Sequence, residues 1–428
     1  MTTPTPWCSR PEKSRLLAVE MSDSGMNAGA KSSSEKSNSK MNDVPWRAGL
    51  FTGIGSMPGV EPVEAAALIA GELADLPHLV ELPDRGPGAD MLGRALAICV
   101  EMPGEVTPFG WRLARRPGLD SRRASDYLNW DLDAAEQHYA GAAWVKVQFA
   151  GPWTLAANVE TPTGNRAITD AGAVRDIAAS LAEGIAEQVA DLAKRLPGTK
   201  FVIQIDEPEL PAVLRGSLST ASGFGEIPAV STAAAEELLA ALVGSFDARP
   251  SIVHCCHPEI PMAMLRSAGF DAISLDLTAG MTLPATRLDQ IGEAVEAGTV
   301  LLAGLVPTRE PKPPSEDVTI GAPAGEGDAR SRAETSDARD ARARDRDFGQ
   351  HNSGQRDSRQ AGSLLFDFHD VAQPLLDLWH RLGLPDRTLH QVVVTPTSGL
   401  AGADDAWARQ ALTLARDAAR VIADRALG

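Results

Sequence analysis

Cysteine is scarce in this chain, with four residues in 428, at Cys8, Cys99, Cys255 and Cys256. The adjacent pair cannot easily bridge each other, so no disulfide framework is expected, and a cysteine that matters here matters as a thiol. Basic residues are outnumbered: 40 Lys and Arg stand against 57 Asp and Glu, for a net charge of −17. Such a surface repels phosphate backbones and anionic lipid heads, which excludes nucleic acid and membrane surfaces as expected partners. Long apolar runs are missing too. None approaches the roughly 18 residues that a spanning helix needs, and the first residues are rich in Ser and Lys with no apolar signal core. The expectation is a cytoplasmic protein. Aromatic residues make up 5% of the chain, but 43% of it is hydrophobic, enough for a sizeable core.

Two stretches cannot offset chain entropy by burial. Residues 1–47 lack hydrophobic periodicity and are rich in Ser, Lys, Asn and Gly, so they read as a disordered tail. Residues 310–362 have mixed-sign charge and few large apolar side chains, and read as a low-complexity disordered insertion of near-balanced charge. The remainder, 48–309 and 363–428, alternates short β-branched runs with longer Ala/Leu/Glu helical stretches. Eight strands are predicted: 50–54, 78–82, 145–150, 200–205, 251–256, 272–277, 299–305 and 391–395. Eight strand–helix units without a sequence repeat predict an α/β single-domain (β/α)8 TIM barrel, against the alternative of a doubly wound open sheet. The long gap between the second and third strands predicts extra helices or a hairpin over one face.

Barrel enzymes build their sites at the C-terminal ends of the strands, and reactive residue types collect there. The fifth strand runs into His254-Cys255-Cys256-His257. Side chains alternate along a strand, so His254 and Cys256 share a side, a spacing suited to two Zn²⁺ ligands; the alternative is a hydrogen-bonded histidine beside a packed thiol. The fourth strand ends in Asp206-Glu207-Pro208. These carboxylates suit acid–base work or the orientation of an ammonium group, and Asp206 and Glu207 are the candidate catalytic residues; the alternative is a helix cap. Asp276 closes the otherwise apolar sixth strand and needs a cation or donors. Glycine-rich turns follow the first strand (Gly53 to Gly59) and the third (Gly151-Pro152), and the eighth strand leads into Thr397-Ser398-Gly399.

Taken in order, GIGSMPG, FAGPWTL, IQIDEP, HCC, ISLD and TPTSGL resemble the catalytic C-terminal barrel of cobalamin-independent methionine synthases and their single-barrel core relatives, within the superfamily that includes uroporphyrinogen decarboxylase. The resemblance implies transfer of a methyl group to a zinc-bound, small-molecule thiol such as homocysteine, from a methyl donor that the sequence does not identify. By position it implies Zn²⁺ held by His254 and Cys256, with Asp276 in place of a glutamate and Ser398 in place of the family's last cysteine ligand. It further implies substrate binding by Ser56, Asp206 and one of Glu81 or Asp84. This chain departs from the family elsewhere as well. Pro307-Thr308-Arg309 stands where the family has a Tyr-Asp-x-His segment and Asn158 near where it has a tryptophan, and the N-terminal barrel of the long enzymes is expected to be missing. The resemblance therefore supports thiol methyl transfer but does not support methyltetrahydrofolate in particular as the donor. The alternatives are a repurposed barrel that binds a small thiol or amino acid, and another lyase or decarboxylase of the superfamily.

Overall fold

The computed structural model describes residues 44–220, 223–279, 282–311 and 367–428. The expected tail and insertion lie almost wholly outside the described residues. The elements below belong to one unit, Pro45–Gly428.

Six of the eight predicted strands form as expected. They are β3 (Trp144–Ala150), β4 (Lys200–Asp206), β5 (Ser251–His254), β6 (Ala272–Asp276), β7 (Val300–Val306) and β8 (Val392–Pro396). All pair in parallel with their sequence neighbours, in the order β3-β4-β5-β6-β7-β8. The result is a curled parallel sheet with helices between its strands. The expected long crossover carries a hairpin, β1 (Gly104–Thr107) with β2 (Gly110–Leu113), paired antiparallel.

The first two predicted strands do not form as regular strands, which corrects the expected count of eight. Phe51 makes a single parallel bridge to Val394, His78 to Lys146, and Ser56 to Glu81. The reason is local competition for carbonyls. Thr52 Oγ1 donates to Leu76 O at 2.8 Å and Gln148 Nε2 to Leu79 O at 2.7 Å, while Lys146 Nζ and Gln204 Nε2 both donate to Ile54 O. Acceptors that a ladder would use are bound to inward side chains instead.

The helices follow their sequence signals. α1 (Pro62–Glu72) opens on a proline, whose missing N–H costs nothing in a first turn. α2 (Met91–Ile98) is capped by Asp90, which also accepts the Trp111 indole N–H at 3.0 Å and so ties the hairpin to this helix. α3 (Leu119–His138) leads into β3, and α4 (Pro152–Asn158) follows it. α5 (Ala171–Arg195) is capped by Asp170 and ends on Lys194 and Arg195, matching the helix dipole at both ends. Then come α6 (Leu210–Arg215), α7 (Thr232–Gly244), α8 (Met262–Ser267), α9 (Ala285–Glu296) and α10 (Phe368–Leu382). α11 (Asp405–Leu427) buries Trp407, Ala411, Leu412, Ala415, Ala418 and Ile422, a stripe at three- and four-residue spacing. Among the described residues no helix is long and apolar enough to cross a membrane.

The described residues form two cores. The larger lies between sheet and helices and takes Val145, Val147, Phe149, Ile203, Ile205 and Val253. The smaller fills one end of the curl with Leu50, Leu76, Val202, Ile252, Leu302 and Val393. Alternation along β3 and β4 therefore sends Lys146, Gln148, Gln204 and Asp206 into the interior above that second core, where all four are buried.

Candidate functional site

The polar level of the interior opens into a cavity of about 200 Å³ at the C-terminal ends of the strands. Its lining includes Ser56, Glu81, Asp206, His254, Cys256 and Ser398. Six of the nine residues singled out from sequence therefore share one wall. Asp84, Glu207 and Asp276 are not among its lining.

Each absence has a physical cause. Asp84 sits in an exposed 3-10 turn after the second bridged segment, and its carboxylate accepts the Gly59 amide at 3.3 Å. Of the two acids left open in the sequence, Glu81 is the one at the cavity. Asp276 is exposed and turned back on its own loop, where Oδ1 accepts from Thr278 N at 2.8 Å and Thr278 Oγ1 at 2.6 Å. Glu207 is fully buried but points behind β3. It accepts from Trp153 N at 3.0 Å, Thr154 N at 2.8 Å and Thr154 Oγ1 at 2.7 Å, capping the N-terminus of α4. A Cβ on Gly151 would overlap this carboxyl, so glycine is required at that approach. The catalytic expectation for Glu207 is thus replaced by a structural one. Burial raises its pKa to about 7 despite the hydrogen bonds that pull the other way.

Asp206 and His254 are register partners at the ends of β4 and β5, and Ser274 is the next partner on β6. His254 Nδ1 and Ser274 Oγ are hydrogen-bonded at 2.9 Å. Burial and then the charge of Lys146 lower the His254 pKa to about 3, so its imidazole is neutral. β5 ends at His254. Cys255 turns into the large core, with its thiol pushed up to about 12 by burial, while Cys256 is exposed at the cavity. Burial raises the Cys256 thiol as well, against a hydrogen bond with Ser398 that lowers it. Asp206 accepts from Gln204 Nε2 at 2.7 Å; its burial, then the nearby Glu81 charge, raise its pKa, and Lys146 opposes both.

Sequence reading missed the groups that support these. Lys146 is fully buried, its Nζ donating to Ile54 O at 2.6 Å and to Gln204 Oε1 at 2.7 Å. Behind Glu81 lies a buried ion cluster in which Asp131 accepts from both Arg85 and Arg94, and Arg94 Nε lies 3.6 Å from Glu81 Oε1. The polar letters at alternate positions of VKVQFA were the available signal for Lys146. Nothing local marks Asp131, which sits in the middle of α3.

The donor set does not fit the expected zinc centre. A four-coordinate zinc site takes at least three protein ligands, and among the described residues no group of three or more His, Cys, Asp or Glu converges on a point where a metal ion could be held. His254 and Cys256 remain with a serine hydroxyl, which stays protonated at neutral pH and is a poor ligand.

Residues 133–323 match the family model described as the catalytic domain of cobalamin-independent synthase. No curated protein matches the chain significantly. Among solved structures, a B12-independent methionine synthase from Shewanella sp. W3-18-1 in complex with selenomethionine is similar at 12% identity, over 74% of this chain and 71% of that one, with a TM-score of 0.41. The matched segment, residues 133–323, runs from the second half of α3 to beyond β7, and over that segment the chain is similar to the catalytic domain of cobalamin-independent synthase.

Proposed function

We propose that the chain is a methyltransferase acting on a small amino-acid thiol of the homocysteine type, and that the bridged segments around Phe51 and His78 complete an eight-membered barrel around its site. The observation that carries this reading is the polarity of the cavity. Glu81 and Asp206 give the lining an acidic character, suited to an α-ammonium group, with Ser56 offering a hydroxyl and nearby backbone for the carboxylate. His254, Cys256 and Ser398 add neutral nitrogen, sulfur and oxygen donors to the same lining, suited to a thiol or thioether. In the reaction an S–C bond forms as the donor's bond to its methyl group breaks, the demethylated donor leaves with the bonding electron pair, and the thiol proton passes to that donor or to solvent. No step is assigned to a metal, since the residues present do not complete a zinc site.

The incomplete donor set also favours a second reading, a barrel that binds the amino acid without transferring a methyl group. One experiment separates the two. Purified full-length protein is given L-homocysteine with methyltetrahydrofolate, or with methylcobalamin in a separate reaction, and methionine formation is followed while homocysteine binding is measured by calorimetry. Turnover that is lost in D206N supports the transferase. Binding without turnover under either donor supports the second reading, and absence of binding refutes both.

A further inference from the structure

The buried lysine has no role in the reading above, yet its hydrogen bonds join the walls of the cavity. Lys146 comes from β3, Gln204 and Asp206 from β4, and Ile54 from the loop that carries Ser56 two residues later. Lys146 Nζ donates to Ile54 O at 2.6 Å and to Gln204 Oε1 at 2.7 Å. Gln204 Nε2 donates to the same Ile54 carbonyl at 3.0 Å and to Asp206 Oδ1 at 2.7 Å. All of these bonds are buried. An ammonium group has three donors and no acceptor, so it can face only the oxygen of the Gln204 amide. That choice leaves the amide nitrogen as the end that meets Asp206.

We infer that Lys146 is a positioning residue, which fixes the orientation of the Gln204 amide and through it aims the Asp206 carboxylate at the ammonium group of an amino-acid ligand. The inference rests on the proposed amino-acid site and adds to it the group that sets its selectivity. Without the lysine the amide oxygen loses the buried donor that holds it, and the orientation that presents Nε2 to Asp206 is no longer fixed from the β3 side. Asp206 then loses its donor, and Glu81 and Asp206 lose the cation that compensates them both. The shared Ile54 carbonyl would also release the Ser56 loop from β3.

The test compares two probes on the full-length chain, L-methionine and the same compound lacking its α-amino group. The wild type should bind the amino-bearing compound more tightly. In K146M that preference should fall by about tenfold or more, the scale of one buried hydrogen-bonded charge left without its partner. General loosening of the cavity weakens both probes alike and leaves their ratio unchanged, so the ratio reports aim and not stability. Should K146M fail to fold, Q204M cuts the same link from the neighbouring strand and should lower the ratio in the same way. Loss of preference in either variant supports the inference. A variant that retains the wild-type preference overturns it and leaves the amino-acid site standing, whereas a wild type that shows no preference overturns the amino-acid site and the inference with it.

Discussion

Removal of the Glu207 carboxyl gives the most direct test of how this fold is held, because its three partners and its burial are all defined. In E207A the Trp153 and Thr154 amides and the Thr154 hydroxyl lose their acceptor in a region that water does not reach. Each buried donor left unsatisfied costs about 1–3 kcal/mol, and the hydroxyl can rotate to a new partner, so the expected loss is about 3–5 kcal/mol. E207Q keeps one acceptor and sets an amide against the other donors, for a smaller loss of about 1–2 kcal/mol. The acid also predicts a pH dependence. Its folded pKa of about 7 lies above the reference of 4.5. Between those values the unfolded chain has released a proton that the folded chain still holds, so rising pH favours unfolding. The Glu207 contribution is complete below about pH 4.5, declines as pH rises to about 7, and is constant above; at about 1.4 kcal/mol per pH unit the change is on the order of 3 kcal/mol. Urea melts of wild type and E207Q from pH 4.5 to 8 isolate this contribution as the difference between the two proteins. A difference that stays flat, or that moves in favour of the wild type as pH rises, would refute the reasoning, as would E207A within 1 kcal/mol of wild type.

Two further substitutions probe packing and the donor set. G184A should destabilise the fold by about 1–3 kcal/mol in urea melts even though alanine gains about 1 kcal/mol in helix propensity, because a Cβ on this buried α5 residue would overlap the Ile98 carbonyl at the end of α2; equal or higher stability would show that the two helices can move apart. S398C should raise zinc affinity, measured by competition with a chromophoric chelator, because the new thiolate joins Cys256 and His254 as a third strong ligand; unchanged affinity would show that the loop after β8 does not present this position to the other two.

The strands that could be located from sequence were those whose apolar runs are bounded by turn residues, β3 to β8, and their ends moved by two residues at most. The first two were misjudged because 50–54 and 78–82 carry strand-like letters while their carbonyls are taken by side chains from β3 and β4, far away in the chain. The same distance hid Glu207. Its partners, Trp153 and Thr154, lie more than fifty residues earlier, and a carboxylate beside Asp206 at a strand end carries no mark of which way it turns. His254, Cys256 and Asp206 could be grouped from sequence because a parallel sheet puts all strand ends on one side, so order along the chain becomes adjacency in space, whereas Ser56 and Ser398 were pointed to by the family resemblance alone. Asp276 obeyed that rule for its backbone and departed from it in its side chain, which found Thr278 closer than the cavity.

The polar alternation of β3 shows why inward chemistry is hard to read in such a fold. VKVQFA has the pattern of a strand with one face in water, yet Val145, Val147 and Phe149 pack under the helices and Lys146 and Gln148 face the interior. An interior that is polar at one level must satisfy itself, because a buried charge without partners is too costly to keep. Below that level, Leu50, Leu76, Val202, Ile252, Leu302 and Val393 close the curl with hydrocarbon and leave the polar groups no water on that side. Lys146 therefore has only the acceptors that β4 and the Ser56 loop provide, and it binds both. The arrangement that solves this electrostatic problem also fixes Asp206 and the Ser56 loop relative to each other. In this interior the residues that stabilise buried charge also hold in place the residues that line the cavity.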